Sequence, residues 1–180
     1  MDLLKKLEAL ECPFNWNLKP LNKTTGYSSK ERLIDKLKIR ETISPENEES
    51  AHESTRAWDG SSACQIFSQM LTLSWIEYPE TTRMRKILTD MENFIAEDKV
   101  PLIMRYKSAL KYLIDSMWGH VYYDEGENQK VEDCLKSFDE LEAKDKAAVM
   151  ALKSCVYMEF GPVGKYISKL LFFRECTLCI

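Results

Sequence analysis

Apolar residues recur at steps of three and four along most of this chain, the spacing of one face of an α-helix. Leu3, Leu4, Leu7 and Leu10 predict a first helix over 2–11, and Pro13 ends it. Beyond it Cys12-Pro-Phe-Asn-Trp-Asn-Leu18 offers two aromatic anchors. Ser28 or Ser29 can cap a second helix running to about Arg40, with Leu33, Leu37 and Ile34 available for the inner face. Ser44-Pro45 then opens a Glu-, Ser- and Asn-rich stretch, residues 41–61, expected to be a mobile acidic loop. Helical spacing resumes over 62–77 (Ile66, Met70, Leu73, Ile76), turns at Pro79, and continues over 80–97 (Met84, Ile87, Leu88, Met91, Ile95). Pro101 suits the first turn of a long helix to about Asp124, with Ile103, Tyr106, Leu110, Leu113, Met117 and Val121 inward. Three more helices follow, over roughly 129–142, 145–160 and 163–174.

The last third repeats itself at an offset of 35 residues: Gly119, Tyr122, Gly126, Leu135 and Phe138 recur as Ser154, Tyr157, Gly161, Leu170 and Phe173. A small residue where helices cross closely, an aromatic to fill the gap between repeats and a glycine ending the first helix in a left-handed turn follow tetratricopeptide order, whose period is about 34 residues. Trp75, four residues before Pro79, repeats the theme more weakly. The alternative is two unrelated amphipathic helix pairs. The expected fold is all-α, with tetratricopeptide-like helical hairpins forming a short superhelical array over 62–180, preceded by N-terminal helices over 1–40. Its last helix carries Tyr166, Ile167, Leu170, Leu171, Phe172 and Phe173. Arrays usually finish on a polar face, so either a longer array is shortened here or a partner covers Leu170 and Phe173.

Composition narrows the functional classes. Apolar residues are 44% and charged residues 30% of 180, ordinary for a soluble helical protein, and 6 Gly with 6 Pro are few for a turn-rich β fold. No run approaches the ~20 apolar residues of a membrane span, and Met1–Leu10 lacks a signal-peptide core. A net charge of −4 argues against a general nucleic-acid coat, so no DNA partner is expected. The distribution is uneven. Lys19 to Arg40 holds seven basic and two acidic residues, whereas Glu41 to Asp59 holds six acidic and one basic. A solvated helix face followed by a flexible loop is the plain account of that contrast. Six cysteines in such a chain fit reduced thiols in the cytoplasm. Cys176 and Cys179 form a single CxxC, but with only two histidines elsewhere a four-ligand zinc site is not expected. The tail is no prenylation box, because Thr177 stands fourth from the end.

Cys12-Pro-Phe-Asn-Trp-Asn-Leu18 after an amphipathic helix resembles a segment of the interferon-induced proteins with tetratricopeptide repeats, which carry Cys-His-Phe-Thr-Trp-Asn-Leu there; Pro13 and Asn15 depart. Trp118-Gly-His-Val-Tyr-Tyr-Asp-Glu-Gly126 is similar to that family's Tyr-Ala-Trp-Val-Tyr-Tyr followed shortly by Gly. The resemblance covers most of this chain but only the first third of a typical member. It implies a cytoplasmic antiviral protein of innate immunity that holds the 5′ end of single-stranded RNA, triphosphorylated or capped without ribose methylation, in a basic tunnel without catalysis. Some members act mainly through protein partners.

Carried over residue by residue, the resemblance places two pocket positions of the family's second helix on Arg32 and Lys36. Arg occurs at the first in some members; Lys36 departs from the usual Gln. Positions four apart share a helix face, and two cations suit phosphate oxygens, although a solvated basic face has the same pattern. A family Trp and a Lys four residues on correspond in repeat register to Lys153 and Tyr157, with neither type kept, and Tyr157 also suits packing. The later repeats that complete the family pocket have no counterpart here. No phosphate-binding glycine loop and no Ser/His/Asp or Cys/His arrangement occurs, so neither an enzyme nor a cofactor is expected, and His120 reads as packing or solvent-facing. The expectations are therefore an RNA-end binder or, alternatively, a tetratricopeptide interaction module or oligomerising adaptor that joins other such proteins or itself.

Overall fold

A computed structural model describes residues 2–18, 60–96, 104–136 and 141–176, excepting the side chains of 60–64, 161 and 170–176. The described residues form seven α-helices and no strand. They are α1 (Leu3–Glu8), α2 (Gly60–Glu77), α3 (Thr81–Ala96), α4 (Lys107–Asp124), α5 (Asn128–Lys136), α6 (Ala143–Met158) and α7 (Gly161–Cys176). The helix expected at 28–40, with Arg32 and Lys36, and nearly all of the acidic segment lie outside the described residues.

Consecutive helices pair as α2/α3, α4/α5 and α6/α7. The turns between them are short: Tyr78–Glu80, Glu125–Glu127 and Glu159–Phe160. Gly126 closes α4 with φ of 76°, the left-handed conformation its place in the repeat requires. Between the hairpins α3 packs on α4, and α4 on α6. α2 also packs on α6, so α2, α3, α4 and α6 close a ring. A linear array of repeats joins only neighbours, and this first-to-third contact goes beyond that pattern. Trp75 near the end of α2 reaches the turn before α7, edge-on to Phe160 at 5.5 Å.

The ring explains the inner face of α2. Phe67, Ser68, Gln69, Leu71, Thr72 and Ser74 are buried, whereas the expected inner residues Ile66, Met70, Leu73 and Ile76 are half-buried. α2 packs against both α3 and α6, and the residues these contacts bury are not the ones the apolar spacing marks. Its buried hydroxyls are satisfied locally: Ser68 Oγ donates to the Gln65 carbonyl at 2.9 Å and Thr72 Oγ1 to that of Ser68 at 2.7 Å, while Ser74 Oγ donates to that of Leu71 at 2.7 Å. The amphipathic α3 follows its sequence pattern, burying Met84, Leu88, Met91 and Ile95.

Two small residues let helices approach closely. A Cβ at Gly119 would come within 2.7 Å of Leu7 Cδ2, so the gap at this repeat position admits α1. A Cβ at Gly164 would lie 1.9 Å from the Tyr157 carbonyl oxygen, where α7 leaves α6. Tyr122, the repeat aromatic, stacks on Trp118 at 5.2 Å, with Arg85 of α3 and Lys130 of α5 over its ring at 5.6 and 5.1 Å. Half-buried, it lies where α3 meets α4 and α5. Arg85 also binds both carboxylate oxygens of Glu125, fastening α3 to the end of α4.

These contacts differ in how they can yield. Gly164→Ala sets a methyl against backbone and is expected to cost about 3 kcal/mol, whereas Gly119→Ala meets the flexible end of a leucine and should cost about 1 kcal/mol. Urea unfolding of both variants checks that order.

Candidate nucleic-acid interface

The Cys12–Leu18 segment is part of the core. Cys12, Trp16 and Leu18 are buried, and Phe14 packs against them. The backbone folds back on itself, with Asn15 N–H and Trp16 N–H both donating to the Cys12 carbonyl at 3.0 and 3.2 Å. Asn15, one of the departures from the family segment, donates from Nδ2 to the carbonyls of Leu7 at 2.8 Å and Leu10 at 2.7 Å. It thereby adds a second donor to the Leu7 carbonyl, which already accepts from Leu10 N–H at 3.0 Å, and supplies one to the Leu10 carbonyl beyond the end of α1. At the other end the Asp2 side chain accepts from Leu4 N–H at 3.3 Å.

Phe14 stacks on Tyr78 at 4.2 Å and stands edge-on to His120 at 5.4 Å. The Tyr78 hydroxyl donates to Asp124, and burial together with that carboxylate pushes the phenol well above its ordinary range. Burial holds the His120 pKa below 6.5, against the opposing pull of Asp124, and Nε2 is buried without a hydrogen-bond partner. His120 is therefore a neutral packing residue. Desolvation likewise pushes the Cys12 thiol up to about 11, which makes it a structural rather than a reactive cysteine.

Lys153 of α6 meets this segment from the other side. Its Nζ donates to Glu11 Oε2 at 2.9 Å and lies 5.6 Å from the centre of the Trp16 ring. The Trp16 indole Nε1–H donates to the same Oε2 at 2.9 Å. The Tyr112 hydroxyl accepts from Glu11 N–H at 3.1 Å, which fixes the backbone beneath the carboxylate. The Lys153 side chain is only 15% exposed, against 50% for Glu11. Tyr157, one turn further along α6, is 7% exposed and belongs to the core, though within electrostatic reach of Glu11.

Of the expected RNA contacts, the structure thus sets Lys153 over Trp16 and buries Tyr157 one turn further along α6. Arg32 and Lys36 lie outside the described residues, as do the side chains of Leu170 and Phe173. Glu11 was not singled out by its sequence; only the fold puts it beside Lys153. Among the described residues no group of three or more His, Cys, Asp or Glu side chains is placed to hold a metal ion. No described helix is long and apolar enough to cross a membrane.

The neutral His120 generates a pH dependence. Its folded pKa lies below the unfolded value near 6.5, so its contribution is fully present above pH 6.5 and lost as pH falls toward the folded value. Urea unfolding should show the wild type losing up to about 1 kcal/mol through this residue over the first unit below 6.5, and His120→Gln flattening that slope. Compared with known proteins, the chain matches no family model, no curated protein and no solved structure.

Proposed function

We propose that this chain is a non-catalytic binding module of the interferon-induced tetratricopeptide type, engaging the 5′ end of single-stranded RNA through phosphate contacts in the cytoplasm. The observation that supports the reading most is the seating of Cys12–Leu18. The residues that carry the family resemblance, Cys12, Phe14, Trp16 and Leu18, pack together, and they hold the donor-bearing Lys153 beside Trp16. The three hairpins, with Gly126 left-handed and Tyr122 at a junction, agree with a tetratricopeptide-like array. The ring closed by α2 and α6 makes that array more compact than a simple superhelix.

On this reading Arg32, Lys36 and Lys153 supply positive charge for the phosphates. Tyr157 supports the α6 face from within rather than stacking on a base, given its burial. Binding should be steeply salt-dependent. Titration with short 5′-triphosphate and 5′-hydroxyl RNAs at two salt concentrations tests it. The triphosphate form is expected to bind at least tenfold tighter, as an order of magnitude for one lost cluster of charge-assisted contacts. Arg32→Ala/Lys36→Ala should reduce the difference, and adding Lys153→Met should abolish it. Equal, weak binding of both RNAs by the intact protein would sink the reading.

A second reading is favoured by a different observation. Met158, Val163 and Tyr166 are exposed around the α6–α7 turn, with Tyr166 65% exposed. Exposed apolar residues in one region suit a protein partner or a second copy, the adaptor role in which Leu170 and Phe173 would also take part. Sedimentation over a concentration series should then show self-association that Tyr166→Asp weakens by about tenfold; a monomer at every concentration, unchanged by the substitution, counts against self-association.

A further inference from the structure

We propose that Lys153 Nζ and the Trp16 indole N–H form an anion site that Glu11 occupies in cis, and that a polyphosphate group binds by displacing the Glu11 carboxylate. The inference deepens the RNA-end reading, on which the choice of polyphosphate rests, by naming the group that competes with the ligand.

Both donors converge on one oxygen, Glu11 Oε2, each at 2.9 Å. The donors are the fixed part of the arrangement. Trp16 is 3% exposed within the core, so its N–H direction is set by packing. The Lys153 stem is largely covered, and its ammonium lies over the same indole ring. The acceptor is the replaceable part. Glu11 follows the end of α1, its side chain is half exposed, and its backbone N–H is tied separately to the Tyr112 hydroxyl. The carboxylate can therefore rotate into solvent while the main chain stays in place. What it leaves behind is an indole N–H and an ammonium, with the Tyr112 and Tyr157 side chains nearby.

Phosphate suits those donors better than a carboxylate does. It offers more oxygens and more negative charge to the same two groups, and charge-assisted bonds gain from both. A tethered carboxylate is also an intramolecular competitor at high effective concentration. Weakly charged anions lose to it, and only a multiply charged group displaces it. Glu11 thereby acts as a selectivity gate: it fills the site when no ligand is bound and raises the charge a ligand needs.

Glu11→Gln keeps the shape and removes the competing charge. Calorimetric titration of the full chain with tripolyphosphate at constant ionic strength should show Glu11→Gln binding about tenfold tighter than wild type, in proportion to the occupancy lost. The gain should vanish in Glu11→Gln/Lys153→Met, which keeps the apolar stem. Urea midpoints of each variant establish that it folds. In the wild type, the Trp16 indole N–H resonance should move as tripolyphosphate is added, a readout that needs no substitution. A folded Glu11→Gln that binds tripolyphosphate no more tightly than wild type overturns the proposal. So does an indole signal that stays still in the wild type at saturation. If Glu11→Gln gains tripolyphosphate affinity but does not distinguish 5′-triphosphate from 5′-hydroxyl RNA, the anion site stands and the RNA-end reading falls.

Discussion

The packing of Trp16 and its neighbours between the first helix and α6 is the constraint on which the rest depends. α1 has six residues, too few to be stable alone. It persists because Asp2 caps one end and Asn15 closes the other, while Leu7 fills the gap left by Gly119. The loop that follows then has no freedom to drift. Phe14 is set against Tyr78 and His120, Cys12 is buried, and Glu11 is brought to Lys153. One short segment thus touches the end of α2, the middle of α4 and the outer part of α6. A change in how it packs would be felt at the charged surface beside it.

The same economy shapes the helical body. Three hairpins succeed one another along the chain, and α2 meets α6 directly and closes the helices into a ring. In that ring α3 keeps an ordinary apolar stripe and α2 does not. α2 instead buries small hydroxylated residues whose side chains bond to their own backbone. α7 is packed on α6 through Gly164 and leaves Val163 and Tyr166 outside.

Much of the architecture was legible where one residue type has one physical use. Gly126 was expected in a left-handed turn, and it has φ of 76°. The stripe of α3 was read correctly because that helix has one buried face. The stripe of α2 was not, because α3 and α6 together bury Phe67, Leu71 and Ser74 rather than the residues that the apolar spacing marks. Gly164 carried no signal, since its requirement comes from a carbonyl of the preceding helix. The Glu11–Lys153 contact spans 142 residues, and no local spacing encodes it. Lys153 itself was reached only through repeat register, which identified a position on α6 without showing what opposes it. For Arg32, Lys36, Leu170 and Phe173 the helical pattern and the resemblance remain the whole basis of their assignment.

The central claim is that the N-terminal segment is a structural member of the helical body rather than an appendage. Cooperative urea unfolding of the full chain, compared with a variant lacking residues 1–18, tests it most directly. Removal should expose Gly119, His120 and the core around Met117, and the variant should lose its single sharp transition. An unchanged midpoint and an unchanged slope would contradict the account, because the body would then stand without the segment said to hold it.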